Sequence, residues 1–340
     1  MMQTDPATIV TAERVRWGIL GAANIAVKHV APAIVTSSNG ELIAVASRNP
    51  ARGRDAYAFV PGVRVYSDYE SLINDPEIDA IYNPLPNSLH AEWSIRALLA
   101  GKHVLCEKPL AVTVEEGEQM VEAARTGGKL LMEAFMYRFH PQTVWTLKQI
   151  AEGRIGRVRL IYSSFSFNIM NPPRPKDIRL QAALAGGSLM DVGCYPINFC
   201  RAVYGHSPVA ASARVYTPDS FEVELSANAV LDYGDGRFAL IDSSFDLPAR
   251  QVAQVIGEAG KITIPVPFTP GTHETTVILS VEGQTIHQHF APVDQYRLEV
   301  EHFASCIQFG YRPALSLDVT LENLATIEAI YRSAGYEWPR

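Results

Sequence analysis

The chain has 340 residues, 47% hydrophobic and 19% charged, with 29 Lys and Arg against 36 Asp and Glu. This length exceeds what one core usually organises, so two domains are expected, and the composition excludes long disorder, collagen and coiled coil. The formal net charge of −7 argues against nucleic acid as the main partner, because binding a phosphate backbone needs a basic surface.

The first 135 or so residues alternate short apolar runs with helix-compatible stretches. Strands are predicted at 15–20, 41–47, 64–66, 80–83, 103–106 and 130–133. Helices are predicted at 25–36, 68–74, 90–100 and 114–126, with a basic, alanine-containing stretch at 51–60. Such alternation reads as βαβ units in a parallel sheet with helices on both faces. After about residue 150 the pattern changes. Strands are predicted at 157–168, 209–216, 221–233, 237–245, 251–257, 261–264, 275–281 and 284–290, with glycine turns near Gly234, Gly236 and Gly283. Neighbouring hairpins imply a mostly antiparallel sheet and an α+β second domain. Helices at 190–204, 295–309 and 319–334 belong to it.

No run of about 18 apolar residues suggests a membrane span. Residues 1–14 lack the pattern of a secretory leader. The four cysteines form no C-x-x-C pair, so neither a disulfide framework nor a zinc site is indicated. Free thiols, no membrane partner and a cytoplasmic location are expected. His287 and His289 share a strand face but have no acid or cysteine at ligand spacing, so no metal is expected.

Gly21-Ala22-Ala23-Asn24-Ile25-Ala26 lies where the first strand meets the first helix. Dinucleotide-binding turns place Gly-x-Gly-x-x-Gly/Ala here, so that backbone N–H groups face the pyrophosphate. Gly21 keeps the first glycine, while Ala23 replaces the second and adds a methyl beside the phosphates. An ordinary strand–helix turn is the alternative reading. The second strand ends in Val45-Ala46-Ser47-Arg48-Asn49, with Arg52 following. An NAD-preferring site has Asp or Glu there for the ribose 2′-hydroxyl. Ser47, Arg48 and Arg52, with no acid, suit a 2′-phosphate and predict NADP over NAD.

Pro84, Leu85, Asn87 and His90 follow the fourth strand, and Glu107-Lys108-Pro109 ends the fifth. The first group serves as a helix cap, a cofactor contact or both. A charged pair flush against an apolar strand points to a cleft, and a cis Pro109 would aim Lys108.

These segments, with Glu133-Ala-Phe-Met-Tyr-Arg-Phe-His-Pro141 and Gly186-Gly-Ser-Leu-Met-Asp-Val-Gly-Cys-Tyr195, together resemble the Gfo/Idh/MocA oxidoreductase family. The similarity is greatest to the branch with glucose–fructose oxidoreductase, NADP-dependent xylose dehydrogenase and trans-dihydrodiol dehydrogenase. The resemblance implies a Rossmann domain over residues 1–140. It implies an α+β domain over 141–340, with a large open-faced, predominantly antiparallel sheet used for a dimer or tetramer. It makes Lys108 the central catalytic residue, with Asp191 and Tyr195 beside it. Gly21, Ala23, Asn24, Ile25, Ser47, Arg48, Arg52, Pro84, Leu85, Asn87, His90, Glu107 and Lys108 are assigned to the cofactor.

Arg138 is read equally as a nicotinamide-side contact and as a domain-junction ion pair, and His140 as structural. Phe165, Phe167 and Asn168 are candidates for the substrate pocket, the alternative being the ordinary aromatic face of an alternating strand. The expected function is NADP-dependent hydride transfer at a carbinol or carbonyl carbon of a sugar or cyclic polyol, first an aldose 1-dehydrogenase of the xylose or glucose type. A dihydrodiol dehydrogenase, a keto-sugar reductase, an aldose oxidoreductase with retained NADP and a non-catalytic NADP(H)-responsive regulator are the alternatives.

Overall fold

A computed structural model describes residues 13–172, 174 and 176–337. Residues 1–12, most of the segment read as having no leader pattern, lie outside the described residues. Six parallel strands form the first sheet: β1 Val15–Leu20, β2 Gly40–Ala46, β3 Arg64–Tyr66, β4 Ala80–Asn83, β5 His103–Glu107 and β6 Leu131–Ala134. Their spatial order is β3-β2-β1-β4-β5-β6. The order reverses between β1 and β4, and at such a switch point the loops leaving the strand ends part into a ligand crevice. Trp17, Ile19 and Leu20 on β1 are fully buried, as a strand covered on both faces requires.

The helices here start and stop on local signals. A π-type turn, Ala26–Val30, leads into α1, Ala31–Thr36. Asn49 accepts the N–H of Arg52 to open α2, Pro50–Ala56, overlapping the basic stretch 51–60. Two further helices are α3, Tyr69–Ile73, and α4, His90–Leu99. Thr113 accepts the N–H of Glu116 to open α5, Val114–Gly127, which ends at Gly128 with φ 60°.

Helix α6, Pro141–Ala151, has no counterpart among the sequence-predicted elements. Its buried face is polar, with Gln142, Thr143 and Thr146 inside, while Val144 is 54% exposed. An apolar-periodicity reading cannot detect such a helix.

The second sheet has eight strands in the order β14-β13-β12-β11-β7-β10-β9-β8. They are β7 Val158–Ser166, β8 Ala210–Tyr216, β9 Ser226–Asp232, β10 Phe238–Ser244, β11 Arg250–Gly257, β12 Gly260–Ile264, β13 Thr275–Val281 and β14 Gln284–Phe290. Every pair is antiparallel except β7 with β10. The fold is thus a Rossmann sheet joined to a mostly antiparallel one. Strand β9 starts at Ser226, five residues later than predicted. Before it, the buried Glu224 carboxylate accepts the N–H of Leu189 (2.7 Å) and the Tyr331 hydroxyl (3.0 Å).

The predicted helix at 190–204 divides into a π-type turn, Leu189–Gly193, and α7, Cys194–Tyr204. Helix α7 packs on β7 and β10. The opposite face leaves Tyr216, Val230 and Leu240 exposed. Helices α8, Gln295–Phe309, and α9, Leu317–Ser333, come last in the chain but return to the first sheet. Phe303 meets Trp17 with ring centroids 5.8 Å apart, and Glu328 accepts the N–H of Val114 at 2.9 Å. Helix α9 also packs on β8 and α7, so it joins the two units.

Candidate active site

The loops at the C-terminal ends of β1, β2, β4 and β5 face the second sheet across a cleft of about 680 Å³. Gly21, Ala23, Asn24 and Ile25 line it beside β1, and Ser47, Arg48 and Arg52 beside β2. Pro84, Leu85, Asn87 and His90 line it after β4, and Glu107 and Lys108 at the end of β5. Asp191, Tyr195, Phe165 and Phe167 approach from the other unit.

Arg138 is the exception among the predicted cofactor residues. It is not on the cleft wall, and its guanidinium donates to Asn198 Oδ1 (3.2 Å), which also accepts the Tyr137 hydroxyl (2.6 Å). Arg138 ties β6's exit to α7, the junction alternative without a carboxylate. Asn168 also lies off the cleft, accepting the N–H of Met170. His140 caps α6 through its ring, and burial lowers its pKa to about 4. His289 meets Thr276 Oγ1 (3.0 Å) and Glu274 (3.3 Å).

The end of the cleft beside β1 and β2 combines a glycine turn with a basic rim. Gly21 has φ +85°, and a Cβ there would meet Leu85 at 3.3 Å, so glycine suits both the turn and the close approach. The Tyr57 hydroxyl donates to Gly21 O (2.9 Å) and holds the turn. Ser47 is buried, its hydroxyl donating to Asn49 O at 2.8 Å. Arg48 and Arg52 are exposed at the rim, and among the described residues neither has a carboxylate partner. The end of β2 is therefore locally positive despite the overall charge of −7.

His90 does more than line the cleft. Its ring nitrogens lie 2.9 Å from Pro109 O and 2.8 Å from Leu85 O, bridging the loops after β4 and β5. Burial pushes its pKa down to about 4, so the ring is neutral and donates to one of the two carbonyls. The Tyr82 hydroxyl donates to Glu107 Oε1 (2.5 Å), and Glu107 Oε2 accepts the Lys108 N–H (3.2 Å). The Lys108–Pro109 peptide is cis. Strand β5 thus delivers a braced lysine to the cleft.

Lys108 Nζ donates to Asp191 Oδ1 (3.0 Å) and to Asp191 O (2.8 Å). It also sits 5.2 Å from the centroid of the Tyr195 ring. The Tyr195 hydroxyl faces Met136 Sδ at 3.7 Å, and the ring packs edge-on against Phe165 and Phe135. Burial favours a neutral amine, but Asp191, Cys194 and Glu107 together outweigh it and hold the Lys108 pKa above the usual lysine value. Burial likewise works to raise the Asp191 pKa, and Lys108 with Arg179 overcomes it, leaving about 2. Tyr195 is pushed well above its ordinary value, chiefly by burial. In the resting site the lysine is charged, the aspartate ionised and the phenol neutral.

Arg179, in the stretch 171–185 whose sequence carries no readable motif, is a site residue that sequence reasoning missed. Its Nε donates to the second Asp191 oxygen, Oδ2 (2.7 Å), and its Nη1 to Asp177 (3.2 Å). Only the Gly186-Gly187 pair could have signalled it. Gly187 donates its N–H to Arg179 O at 2.8 Å. A Cβ on Gly186 would lie 2.3 Å from that same oxygen, and one on Gly187 would lie 2.3 Å from the Glu224 carboxylate. Gly187 also has φ +110°. Gly187→Ala is expected to lower unfolding free energy by roughly 3 kcal/mol, from backbone strain plus overpacking. Chemical denaturation measures this, and a loss below about 0.5 kcal/mol would contradict the fit described.

Residues 15–135 match the "Oxidoreductase family, NAD-binding Rossmann fold", and residues 144–263 match the "GFO/IDH/MocA C-terminal domain". D-xylose 1-dehydrogenase (NADP(+)) 2 of Haloferax volcanii is 39% identical over 320 residues, 94% of this chain and 97% of that protein. A 3-ketoreductase from Actinomadura kijaniata, solved with NADP and TDP-benzene, superposes with a TM-score of 0.88 at 31% identity, covering 94% of this chain and 98% of its own. The aldose-aldose oxidoreductase from Caulobacter crescentus, complexed with glycerol, gives 0.88 at 31%, covering 95% and 98%. Matched in both halves and over nearly its whole length, the chain belongs to the Gfo/Idh/MocA oxidoreductase family.

Proposed function

We propose that the protein is an NADP-dependent sugar oxidoreductase, an aldose 1-dehydrogenase of the xylose or glucose type, with its Rossmann domain over residues 1–140 and its substrate domain over 141–340. The observation that carries this reading is the meeting of Lys108, from the end of β5, with Asp191 and Tyr195 from the second unit. That meeting occurs in a cleft whose other end has the glycine turn and two uncompensated arginines. The similarity to an NADP-dependent D-xylose dehydrogenase supports the same substrate class. A regulator that only sensed NADP(H) would have no use for the assembled Lys108–Asp191–Tyr195 group.

Bound NADP would supply the hydride acceptor, held by Gly21, Ala23, Asn24 and Ile25 at the pyrophosphate and by Ser47, Arg48 and Arg52 at the 2′-phosphate. The chain's own task is to manage the hydroxyl proton that leaves as the carbinol carbon is oxidised. Tyr195 is the direct proton partner of the substrate oxygen. The Lys108 ammonium beside its ring favours the phenolate form, which is the form that takes the proton. Asp191 fixes where the ammonium points. Phe165 and Phe167 offer apolar surface to the C–H face of a sugar ring.

Because Tyr195 titrates above its ordinary value, its proton-accepting phenolate gains population as pH rises. Aldose oxidation with NADP is therefore expected to accelerate from neutral into alkaline pH, and the reverse reduction to slow. Initial rates in both directions, followed by reduced-nicotinamide absorbance, test this reading. Oxidation that is fastest at acid pH, or no turnover of any sugar, would contradict it.

The exposed sheet face carrying Tyr216, Val230 and Leu240 supports a homodimer or tetramer formed through the second sheet. Among the described residues no helix is long and apolar enough to cross a membrane. The four cysteines, all free and buried, suit a reducing compartment such as the cytoplasm.

A further inference from the structure

Asp191 divides its two carboxylate oxygens between two cations: Oδ1 accepts from Lys108 (3.0 Å) and Oδ2 from Arg179 (2.7 Å). We infer that Arg179 is a positioning residue, holding Asp191 by the oxygen that Lys108 leaves free, so that one immobilised carboxylate aims the lysine. This rests on the proposed role of Lys108.

Asp191 lies in the π-type turn Leu189–Gly193. A carboxylate held from one side only could swing about its Cα–Cβ bond and carry the ammonium with it. Arg179 removes that freedom and is itself fixed at several points. Asp177 accepts both its backbone N–H (3.1 Å) and its Nη1 (3.2 Å). The Gly187 N–H holds its carbonyl, and Gly186 leaves that carbonyl room. Its guanidinium lies 5.8 Å from the Phe167 ring centroid. The segment is also tied to the nucleotide side, because Asn87 Nδ2 donates to Ala185 O (2.9 Å). An arginine held this firmly, with both ends of its contacts inside the cleft, acts as a brace between the segment 177–187 and the lysine.

The electrostatic consequence has a definite sign. Lys108 faces Asp191 and Cys194 from the second unit and Glu107 from its own strand, with His90 and Glu133 farther off. Asp191 faces Lys108, Arg179, Cys194 and Tyr195, with the Glu107 carboxylate farther off. Removing Arg179 leaves Asp191 compensated by Lys108 alone, and the lysine then binds its proton more tightly.

The test is the pH dependence of Lys108 acylation by acetic anhydride, read by peptide mass spectrometry on the full chain, alongside steady-state kinetics. In Arg179→Gln the half-reaction pH of Lys108 should rise by roughly one unit. At the same time kcat at neutral pH should fall roughly tenfold, and NADP affinity should stay within about twofold. Arg179→Lys, which restores charge without the planar fork, should recover part of both. If Arg179→Gln does not fold, Arg179→Lys carries the same measurement, with a smaller shift expected. An unmoved Lys108 titration in the folded variants, or a loss confined to NADP affinity, would overturn the inference. Labelling needs no sugar, so failure to turn over an aldose would count against the proposed function and leave this test intact.

Discussion

Lys108→Ala is expected to lower kcat for aldose oxidation by roughly a thousandfold, with NADP affinity changed by less than about threefold. The asymmetry follows from where the side chain points. Its backbone N–H helps to hold Glu107, but its ammonium turns away from the nucleotide turn and onto Asp191 and the Tyr195 ring. Losing it removes the charge that makes Tyr195 usable as a proton acceptor and leaves Asp191 with Arg179 alone. A general acid–base group typically contributes between about a hundredfold and ten-thousandfold, and here one substitution disables two participants. The side chain is 12% exposed, so water can occupy part of the space left behind. Single-turnover rates and a cofactor titration separate the two effects. A variant that keeps full turnover would remove Lys108 from the mechanism.

Arg48→Asp is expected to reduce the preference for NADP over NAD, as the ratio of kcat/KM values, by roughly a hundredfold. Arg48 and Arg52 stand at the end of β2 without a carboxylate partner among the described residues, and Arg48 is exposed, so the fold does not depend on it. The substitution removes an attraction for the 2′-phosphate and adds a repulsion. It also introduces a carboxylate of the kind that hydrogen-bonds a free 2′-hydroxyl. All three changes act in the same direction. An unchanged ratio would place the nucleotide's ribose elsewhere.

The parts of the molecule that could be read from sequence are those where one physical rule dominates. Apolar runs ending in Gly21 or at Glu107-Lys108 disclose buried parallel strands, and glycines at 234, 236 and 283 disclose the hairpins. The site residues on strand ends belong to the same class, because charge at the tip of an apolar strand has few other uses. What could not be read was polar structure buried for local reasons. Helix α6 hides behind Gln142, Thr143 and Thr146. Just ahead of β9 the buried Glu224 carboxylate finds its partners, Leu189 and Tyr331, far away in the chain. Arg179 is the most instructive miss. Nothing in 171–185 marks one arginine above its neighbours until the fold brings Asp191 to it. Arg138 illustrates the reverse, a charged residue in a promising segment whose partner, Asn198, lies off the cleft.

The most direct test of the central claim is a crystal structure of the protein with NADP and an aldose. The 2′-phosphate should lie beside Ser47 and Arg48, the pyrophosphate over Gly21–Ala26, and the sugar's reacting carbon between the nicotinamide and the Lys108–Tyr195 pair. Density for the cofactor outside this cleft, or a sugar bound away from Lys108, would contradict it.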